Sequence, residues 1–363
     1  MLLLTLLACA ADTGDDTGTA PAWVAPDAVG PYLVGTDEGA LTGQTGRDLT
    51  VQVWFPATST GDEVYRYDDW VAAGAMERGV PACDQARPVV LFSHGYGGVR
   101  YQSTFLTERL ASHGFVVVAP DHVDNTMFDL DEAQDGEVAF RRPLDIADSY
   151  DWLLEQAGAG GALDGCVDPD AGYAVVGHSF GGWTALAVAG ATVDPVTALA
   201  CSDGGSIWCD VYQKWVALHG DEPLPPVVDP RAWASVPMCP GGFEIMGATL
   251  ADVDVPAMVM GGTLDDSTTW EGQVQPIYDA LDTAPRYLAG VVGAGHFTFS
   301  DLCTMVPVLP ECDGPDAGYV DIPQALALID TVTTAFLRTT LGDSAAAAWL
   351  PPESDVLLWD AGQ

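Results

Sequence analysis

The chain has 363 residues, of which 48% are hydrophobic and 18% are charged. This is enough apolar material to bury a large core, so a wholly disordered protein is excluded. The 12 Lys and Arg residues against 52 Asp and Glu residues give a formal net charge of −40, which repels phosphate backbones. We therefore expect no nucleic-acid partner and a solvated anionic surface, with a cation-binding surface as the alternative.

The first nine residues resemble an export signal. Residues 1–9 form a short apolar run that ends in Ala8 and Cys9 and has no Lys or Arg before it. This order resembles the lipobox of bacterial lipoprotein signals, in which Cys9 would carry the lipid and tether the protein to a membrane. Residues 10–30 follow as an acidic, flexible tether. We expect an extracytoplasmic protein, lipid-anchored in the cell envelope or secreted, with a cytosolic protein as the alternative.

After the tether, short apolar runs alternate with longer helical patterns, as expected for βαβ units. The near-continuous hydrophobicity of the runs is typical of strands covered on both faces. The predicted strands are 49–55, 88–93, 115–119, 173–177, 196–200, 256–261 and 286–292, and the predicted helices are 101–112, 144–156, 183–190, 273–281 and 322–340. This pattern predicts an α/β fold with a mostly parallel central sheet flanked by helices.

Two segments interrupt the alternation. Residues 125–142 are predicted to form an acidic loop, and residues 204–250 lack a clear periodicity although they lie between two predicted strands. Loops this long inside a compact domain are usually functional or disordered. Residues 204–250 are therefore a candidate lid or substrate-binding excursion, with plain surface filling as the alternative. The main domain is predicted over residues 31–345 and a C-terminal tail over residues 346–363.

Seven cysteines remain beyond Cys9, without a CxxC pair or a His/Cys cluster at zinc spacing, so we expect no metal site. An exported chain would oxidise these thiols. Cys201 with Cys209, and Cys303 with Cys312, are close enough in sequence to close short loops. Because seven is an odd number, at least one thiol stays free or pairs between molecules.

The strongest motif is Gly-x-Ser-x-Gly at residues 177–181, which lies directly after a predicted strand and before a predicted helix. At such a turn the serine is held in a strained conformation with its hydroxyl exposed, so Gly177 and Gly181 must lack side chains. The start of the helix offers free N–H groups and the positive end of its dipole. Ser179 is the predicted nucleophile, and an ordinary glycine-rich turn is the alternative.

A serine nucleophile needs a base, and the base needs a carboxylate to orient it. Among six histidines, His296 lies in the loop after the last predicted strand, where a Ser–Asp–His chain order expects the base. Asp265 follows the predicted strand 256–261, at the sheet edge where α/β sites assemble. Asp265 is the favoured acid, and Asp203 and Asp266 stay open as alternatives.

Two backbone amides are predicted to form an oxyanion hole. One belongs to Phe180, the residue after the nucleophile, and the other to Tyr96, in the glycine-rich loop after the predicted strand 88–93. A plain strand-exit turn is the alternative for this loop. Trp270 and Phe297 are candidate pocket walls, with core packing as the alternative for both.

In combination, these segments resemble a known family. Residues 49–57, 89–120 and 177–182 and the sequence Gly-Ala-Gly-His at 293–296 resemble the α/β-hydrolases grouped around plasma-type platelet-activating-factor acetylhydrolases and bacterial cutinase-like polyester hydrolases. The resemblance extends over residues 47–300. It implies an α/β-hydrolase fold and a cofactor-free ester hydrolase that uses Ser179, His296 and an acid.

The two branches of this family differ in the position of the acid. Cutinase-like members place it as Asp265 stands here, whereas the acetylhydrolase branch places it near Asp203. Tyr96 matches the oxyanion residue of the cutinase-like branch. The excursion at 204–250 departs from compact cutinases, and a covered site favours small or lipid esters over a solid polymer.

We therefore predict an exported serine esterase that acts through an acyl-enzyme on short-chain acyl, lipid or polyester-like esters, without a metal or cofactor. A non-catalytic binding lipoprotein on a hydrolase scaffold is the alternative from another class. A dienelactone-type hydrolase is a further alternative, although it usually carries cysteine where Ser179 stands. The sequence leaves the natural ester, calcium binding and the oligomeric state open.

Overall fold

The structure is a computed structural model. It describes residues 23–61, 63–68, 71–76, 79–201, 206–220 and 222–362. The predicted signal with Cys9, residues 10–22 of the tether, and Asp203 lie outside the described residues. Among the described residues, no single helix has the length and hydropathy of a membrane span; Pro310–Ala317 and Ile322–Thr340, bent by 106°, meet those criteria only as a pair.

Twelve strands in the described part of the chain form one sheet. They are β1 (Leu33–Thr42), β2 (Asp48–Ser59), β3 (Val64–Tyr67), β4 (Val71–Met76), β5 (Val80–Pro81), β6 (Val89–Ser93), β7 (Val116–Pro120), β8 (Tyr173–His178), β9 (Ala232–Met238), β10 (Ala257–Gly262), β11 (Arg286–Val291) and β12 (Leu357–Gly362). Their order is β12-β11-β10-β9-β8-β6-β7-β2-β1-β4-β3, and β5 pairs with β2.

The sheet is mixed, which corrects the prediction of a mostly parallel one. The strands β7, β6, β8, β9, β10 and β11 form a parallel block. Antiparallel strands flank this block, with β2 beside β7, β1 beside β2, and β12 beside β11. The connection between β1 and β2 is a short turn, which can only reverse the chain, whereas parallel neighbours need longer crossovers.

Helices cover both faces of the parallel block. They are α1 (Thr104–Ser112), α2 (Asp135–Ala157), α3 (Phe180–Val188), α4 (Pro195–Leu199), α5 (Ile207–His219), α6 (Phe243–Met246), α7 (Gln275–Ala280), α8 (Leu302–Met305) and α9 (Ile322–Thr340). Short 3₁₀ turns lie at Glu132–Gln134, Gly247–Asp252, Phe297–Phe299, Pro310–Ala317 and Ala346–Trp349, and a π turn at Trp270–Val274.

Successive residues of the central strands enter different cores. In β6, Val90 packs in the cluster that includes α1 and α9, whereas Leu91 packs in the cluster that includes α2. This alternation follows from the two-residue period of a strand, and burial on both faces explains the near-continuous apolar runs in the sequence. Because β8, β10 and β11 belong to the parallel block, their carboxyl ends lie at one edge of the sheet, where the predicted site residues follow each strand.

Six of the seven predicted strands are confirmed as β2, β6, β7, β8, β10 and β11. The strand predicted at 196–200 is wrong, because this segment forms α4. Asp194 caps that helix by accepting a hydrogen bond from the Val196 amide at 2.9 Å, and Pro195 opens its first turn. These signals for the start of a helix outweigh the apolar character of the segment, which by itself suggests a strand.

The strand between β8 and β10 is β9, which lies inside the segment predicted as an excursion. Among the described residues of the segment 204–250, β9 belongs to the sheet, whereas α5, α6 and the turns around them lie outside it. The acidic loop predicted at 125–142 is also too long. Helix α2 begins at Asp135, and acidic side chains in its first turn suit the positive end of the helix dipole.

Three disulfides link the described cysteines. Cys201–Cys209 and Cys303–Cys312 confirm the two short loops expected from the sequence, and Cys83–Cys166 is a third, long-range bond. Cys239 is free and buried, which accounts for the odd number. Part of the predicted tail forms β12 and extends the sheet beside β11. The division into signal, tether, main domain and tail stays a prediction.

Candidate active site

Ser179 occupies a sharp turn between β8 and α3. Its backbone has φ 58° and ψ −117°, a conformation that is strained for a residue with a side chain. The flanking glycines are required by space. A Cβ on Gly181 would lie 1.9 Å from the Ser93 carbonyl oxygen, and one on Gly177 would lie 2.1 Å from the Gly181 carbonyl oxygen. The turn therefore closes only with glycine at both positions, as the motif predicts.

The structure brings Ser179, His296 and Asp265 together. His296 Nε2 lies 2.9 Å from Ser179 Oγ, and His296 Nδ1 lies 2.7 Å from Asp265 Oδ2. Asp266, the neighbouring alternative acid, is exposed. Asp203, the other alternative, lies outside the described residues. The three side chains come from the loops after β8, β10 and β11, which share one edge of the sheet.

The carboxylate of Asp265 is held by several donors. Its Oδ1 accepts hydrogen bonds from the amides of Ser267 and Thr268, each at 2.8 Å. Burial by itself would raise the pKa of Asp265, but the hydrogen bond and charge of His296 and these two amides outweigh burial and lower the pKa. Asp265 is therefore ionised at neutral pH, and it favours the tautomer of His296 that carries its proton on Nδ1.

Thr268 and Cys239 lie next to this pair, and no motif in the sequence predicts either residue as part of the site. Thr268 Oγ1 lies 2.9 Å from Asp265 Oδ2 and 3.2 Å from His296 Nδ1. Cys239 is fully buried, and burial together with Asp265 raises the pKa of its thiol. Ligand atoms of Cys239, His178 and His296 lie within 4.8 Å of one another. Both ring nitrogens of each histidine already have hydrogen-bond partners, so a metal would have to displace them.

His178 links the loop of His296 to the loop after β6. His178 Nε2 lies 2.9 Å from the His296 carbonyl oxygen, and its Nδ1 lies 3.0 Å from Gln102 Nε2. Gln102 Oε1 then accepts a hydrogen bond from the Gly95 amide at 2.9 Å. Burial, with a smaller effect of His296, lowers the pKa of His178 to about 3. His178 therefore stays neutral and acts as a fixed connection.

Tyr96 and Phe180, whose amides are predicted to form an oxyanion hole, line one cavity together with Ser179. Within the described residues, the N–H groups of Tyr96 and Phe180 have no hydrogen-bond acceptor. The Tyr96 ring lies 6.1 Å from the Phe180 ring, and its hydroxyl donates to Asp135 Oδ1 at 2.9 Å. Because the side chain of Tyr96 is anchored on α2, its amide has a defined position near Ser179.

Two cavities meet at Ser179. The smaller has a volume of about 130 Å³ and is lined by Tyr96, Ser179, Phe180, Ile207, Trp208, Val211, Ser267 and Thr268. The larger has a volume of about 320 Å³; His296, Phe297, Leu302, Met305 and Met127 are part of its wall. Phe297 is thus a pocket wall, as one of the two interpretations predicts. Trp270 lines neither cavity and packs over Gly290 instead.

Glu311 fixes the loop of His296. Its Oε1 accepts a hydrogen bond from the Phe297 amide at 3.2 Å, and its Oε2 accepts from the Thr298 amide at 2.9 Å. Glu311 is buried, and the neighbouring Cys312 is bonded to Cys303. The carboxylate thus satisfies two amides directly after His296. No local sequence motif predicts this contact.

A second Ser–His–Asp arrangement lies beneath the loop after β6. Ser93 Oγ is 2.9 Å from His122 Nε2, and His122 Nδ1 is 2.9 Å from Asp145 Oδ2. All three residues are 0% exposed, so a substrate carbonyl cannot reach Ser93. Of the two arrangements, the one at Ser179 is the one that borders a cavity.

The chain is similar in sequence to known proteins. The family model for chlorophyllase matches residues 78–203. The chain is 28% identical over 210 residues to Cutinase 2 of Thermobifida cellulosilytica (57% of this chain, 60% of the relative) and, over the same length, to Cutinase cut1 of Thermobifida fusca (57% and 49%). It is 27% identical over 210 residues to Cutinase est2 of Thermobifida alba (57% and 52%).

The match covers only about half to three-fifths of the length of these curated relatives. These relatives are cutinases, which agrees with the cutinase-like branch of the resemblance. The resemblance inferred from the motifs is confirmed: the chain is similar to the cutinase-like esterases of the α/β-hydrolase type.

Proposed function

We propose that the protein is a serine carboxylic-ester hydrolase that acts through an acyl-enzyme. The observation that carries this proposal is the 2.9 Å contact between Ser179 Oγ and His296 Nε2, with Asp265 on the other ring nitrogen. This is the arrangement that makes a serine hydroxyl nucleophilic. The similarity to cutinases supports carboxylic esters as the class of substrate.

The proposed reaction begins when Ser179 Oγ attacks the ester carbonyl and its proton moves to His296 Nε2. Asp265 stabilises the imidazolium, and the amides of Tyr96 and Phe180 donate to the carbonyl oxygen as it becomes an anion. His296 then gives the proton to the leaving alkoxide, which departs as the alcohol. A water molecule deprotonated by His296 attacks the acyl-enzyme in the same way and releases the acid and Ser179.

The direction of proton transfer indicates which part of the ester each of the two cavities would hold. The leaving oxygen must face His296 Nε2, so the alcohol occupies the larger cavity, which has His296 in its wall. The acyl group then occupies the cavity of about 130 Å³. An apolar cavity of about 150 Å³ is sufficient to hold benzene. We therefore propose short-chain acyl esters as the preferred substrates.

Trp208 is a fixed wall of the acyl cavity. Trp208 on α5 is buried, and its ring lies 5.0 Å from the Phe180 ring and 5.9 Å from the Trp183 ring. The helix is held by the Cys201–Cys209 disulfide and by the ion pair between Lys214 Nζ and Asp135 Oδ2 at 2.6 Å. A long acyl chain would have to displace Trp208, which costs packing against two aromatic rings.

The proposal is tested by the hydrolysis of p-nitrophenyl butyrate with the matched p-nitroanilide as the amide comparison. We expect turnover of the ester, with an initial burst of p-nitrophenol equivalent to one per enzyme if release of the acyl group limits the rate. Turnover of the anilide alone would identify a peptidase instead. Absence of turnover with both compounds would favour a non-catalytic binding protein.

Shortening Trp208 should relax the limit on acyl length. We expect Trp208→Leu to raise the ratio of kcat/KM for the dodecanoate against the butyrate ester by about ten-fold. Leu218→Ala, on the exposed face of the same helix, is the control and should keep the wild-type ratio. An unchanged ratio in folded Trp208→Leu would contradict the assignment of the acyl cavity.

Removing the charge of Glu311 should misplace His296. In Glu311→Gln one buried amide N–H loses its acceptor, and such a loss typically costs about 1–3 kcal/mol. We expect kcat/KM to fall by about 5- to 100-fold. Asp313→Asn is the matched control, since Asp313 is exposed in the same 3₁₀ turn, Pro310–Ala317. Equal activity of the two variants would show that the carboxylate does not position His296.

The site of action is also proposed. Three disulfides among the described cysteines support a protein that matures outside the cytoplasm, because such bonds persist in oxidising compartments. Anchoring of the chain through a lipid on Cys9 stays a prediction. The proposed reaction uses only side chains and backbone amides of this chain, and therefore calls for no cofactor.

A further inference from the structure

Arg142 is a buried cation directly behind the loop after β6. Its side chain is fully buried on α2, and its Nη2 donates hydrogen bonds to the carbonyl oxygens of His94 and, at 3.3 Å, Gly95. Within the described residues no carboxylate lies within ion-pair distance of Arg142. The nearby Asp145 is bound to His122 and Arg47 instead. Burying a cation without a direct counter-charge costs free energy of folding, so the buried position of Arg142 calls for an explanation.

The guanidinium remains charged in this place. Burial lowers the pKa of Arg142 to about 9, and Asp145 opposes the change. Arg142 is therefore a cation at neutral pH. Its Nε and Nη1 have no hydrogen-bond partner among the described residues, so a large part of the positive charge is not neutralised by contacts.

The first effect of Arg142 is on the peptide group that contains the Tyr96 amide. The oxygen of that peptide is the Gly95 carbonyl oxygen, which lies 3.3 Å from Arg142 Nη2 and 2.7 Å from His94 Nδ1. His94 Nε2 accepts from the His122 amide at 3.1 Å, so Nδ1 carries the proton and also donates. The Gly98 amide also donates to this oxygen, at 3.1 Å. Three donors on one carbonyl oxygen polarise the peptide and make its N–H a stronger donor, and Arg142 is the charged one among them.

The second effect is on Phe180, which carries the other amide. The Arg142 Cζ lies 4.6 Å from the centre of the Phe180 ring, within the range of a cation–π contact. One guanidinium therefore contacts both backbone segments that supply oxyanion donors. It fixes the loop of Tyr96 through carbonyl oxygens and the start of α3 through an aromatic ring.

We propose that Arg142 is a positioning residue for the oxyanion hole, which aligns the amides of Tyr96 and Phe180 and places a positive charge behind them. This inference rests on the proposed function, because it concerns the charge that develops on the ester oxygen. Interactions that strengthen as this charge forms raise kcat more than they improve substrate binding.

The test compares Arg142→Met and Arg142→Lys with Arg141→Met. Arg141 is the adjacent arginine, and it pairs with Glu137 at 2.9 Å on the partly exposed side of α2. We expect Arg142→Met to lower kcat for p-nitrophenyl butyrate by about 10- to 100-fold with KM changed by less than about two-fold. Arg142→Lys keeps the charge but not the planar fork, and should fall between the wild type and Arg142→Met.

A second measurement separates positioning from general loss of structure. Butylboronic acid forms a tetrahedral adduct with an active-site serine, whereas butyrate is a ground-state product. The inhibition constant of the boronic acid should rise in Arg142→Met by the same factor as kcat/KM falls, with the constant for butyrate unchanged. Thermal unfolding identifies the variants that fold, and if Arg142→Met does not fold, the Lys variant alone decides the question.

The outcomes are distinguishable from failure of the proposed function. If the wild type hydrolyses the ester but the folded Arg142 variants match Arg141→Met in kcat and in boronic acid affinity, the role of Arg142 is wrong and the esterase proposal stands. Equal weakening of the boronic acid and butyrate would also overturn it, because it would indicate general damage to the site. A wild type without ester turnover would remove both proposals.

Discussion

Ser179→Ala is expected to lower kcat for p-nitrophenyl butyrate by about 10⁵- to 10⁶-fold. Without Oγ no acyl-enzyme forms, and the residual reaction is attack by water in a site that still binds the ester and its oxyanion. Alanine keeps the elbow conformation and removes one oxygen, so thermal unfolding should remain within a few degrees of the wild type. The measurement is steady-state hydrolysis with the enzyme concentration fixed by absorbance.

Ser354→Ala is the matched control for this variant. Ser354 is exposed, and among the described residues its hydroxyl accepts one hydrogen bond, from the Val356 amide. It should keep wild-type turnover. If Ser179→Ala retained more than about one-hundredth of the wild-type rate, the acyl-enzyme mechanism proposed for Ser179 would be wrong.

Asp265→Asn is expected to reduce kcat by about 10⁴-fold. An asparagine amide at this position can donate to His296 Nδ1, which turns the imidazole into the tautomer with its proton on Nε2. That tautomer cannot accept the Ser179 proton. The fold should be kept, because the amide oxygen can still accept from the amides of Ser267 and Thr268, both 2.8 Å from the present Oδ1.

The same experiment decides between the three acids that the sequence left open. Asp266→Asn changes an exposed carboxylate next to Asp265, and Asp203→Asn changes the other acid that the sequence left open. Neither substitution removes an atom of the 2.7 Å contact between Asp265 and His296. Both should retain kcat within about two-fold. A loss of about 10⁴-fold in Asp203→Asn, with Asp265→Asn active, would transfer the role to Asp203 and favour the acetylhydrolase arrangement.

The candidate site could be predicted because its residues follow local rules. Ser179 sits in a turn whose glycines are required by contacts of about 2 Å, and such a requirement leaves a mark in the sequence. His296 and Asp265 follow apolar strands buried on both faces. The carboxyl ends of parallel strands meet at one edge, so their chain order predicts that they converge.

The sequence does not predict strand β9, because its residues are not those typical of a central strand. Ser235 and Pro237 interrupt the apolar run, and Pro237 lies opposite Gly177 in the neighbouring strand. Proline cannot donate to a ladder and normally argues against a central strand. In β9, tertiary packing outweighs this disfavour of proline for central strands. From the sequence alone, the segment therefore looks like an excursion.

The residues that support the site could not be predicted, since their contacts join distant parts of the chain. Gln102 meets His178 across 76 positions, and Arg142 meets the carbonyl oxygens of His94 and Gly95 across 48 and 47. Glu311 reaches the loop of His296 from a disulfide loop. Long-range contacts of single polar side chains leave no periodicity or motif in one sequence.

The central claim is that His296 makes the hydroxyl of Ser179 nucleophilic, and the most direct test is covalent labelling by a p-nitrophenyl phosphonate. Intact mass and peptide mapping should give one adduct per chain, on the peptide that contains Ser179. The rate of labelling should fall by at least about 10³-fold in His296→Ala. An adduct on another residue, or equal labelling rates in the wild type and His296→Ala, would contradict the account.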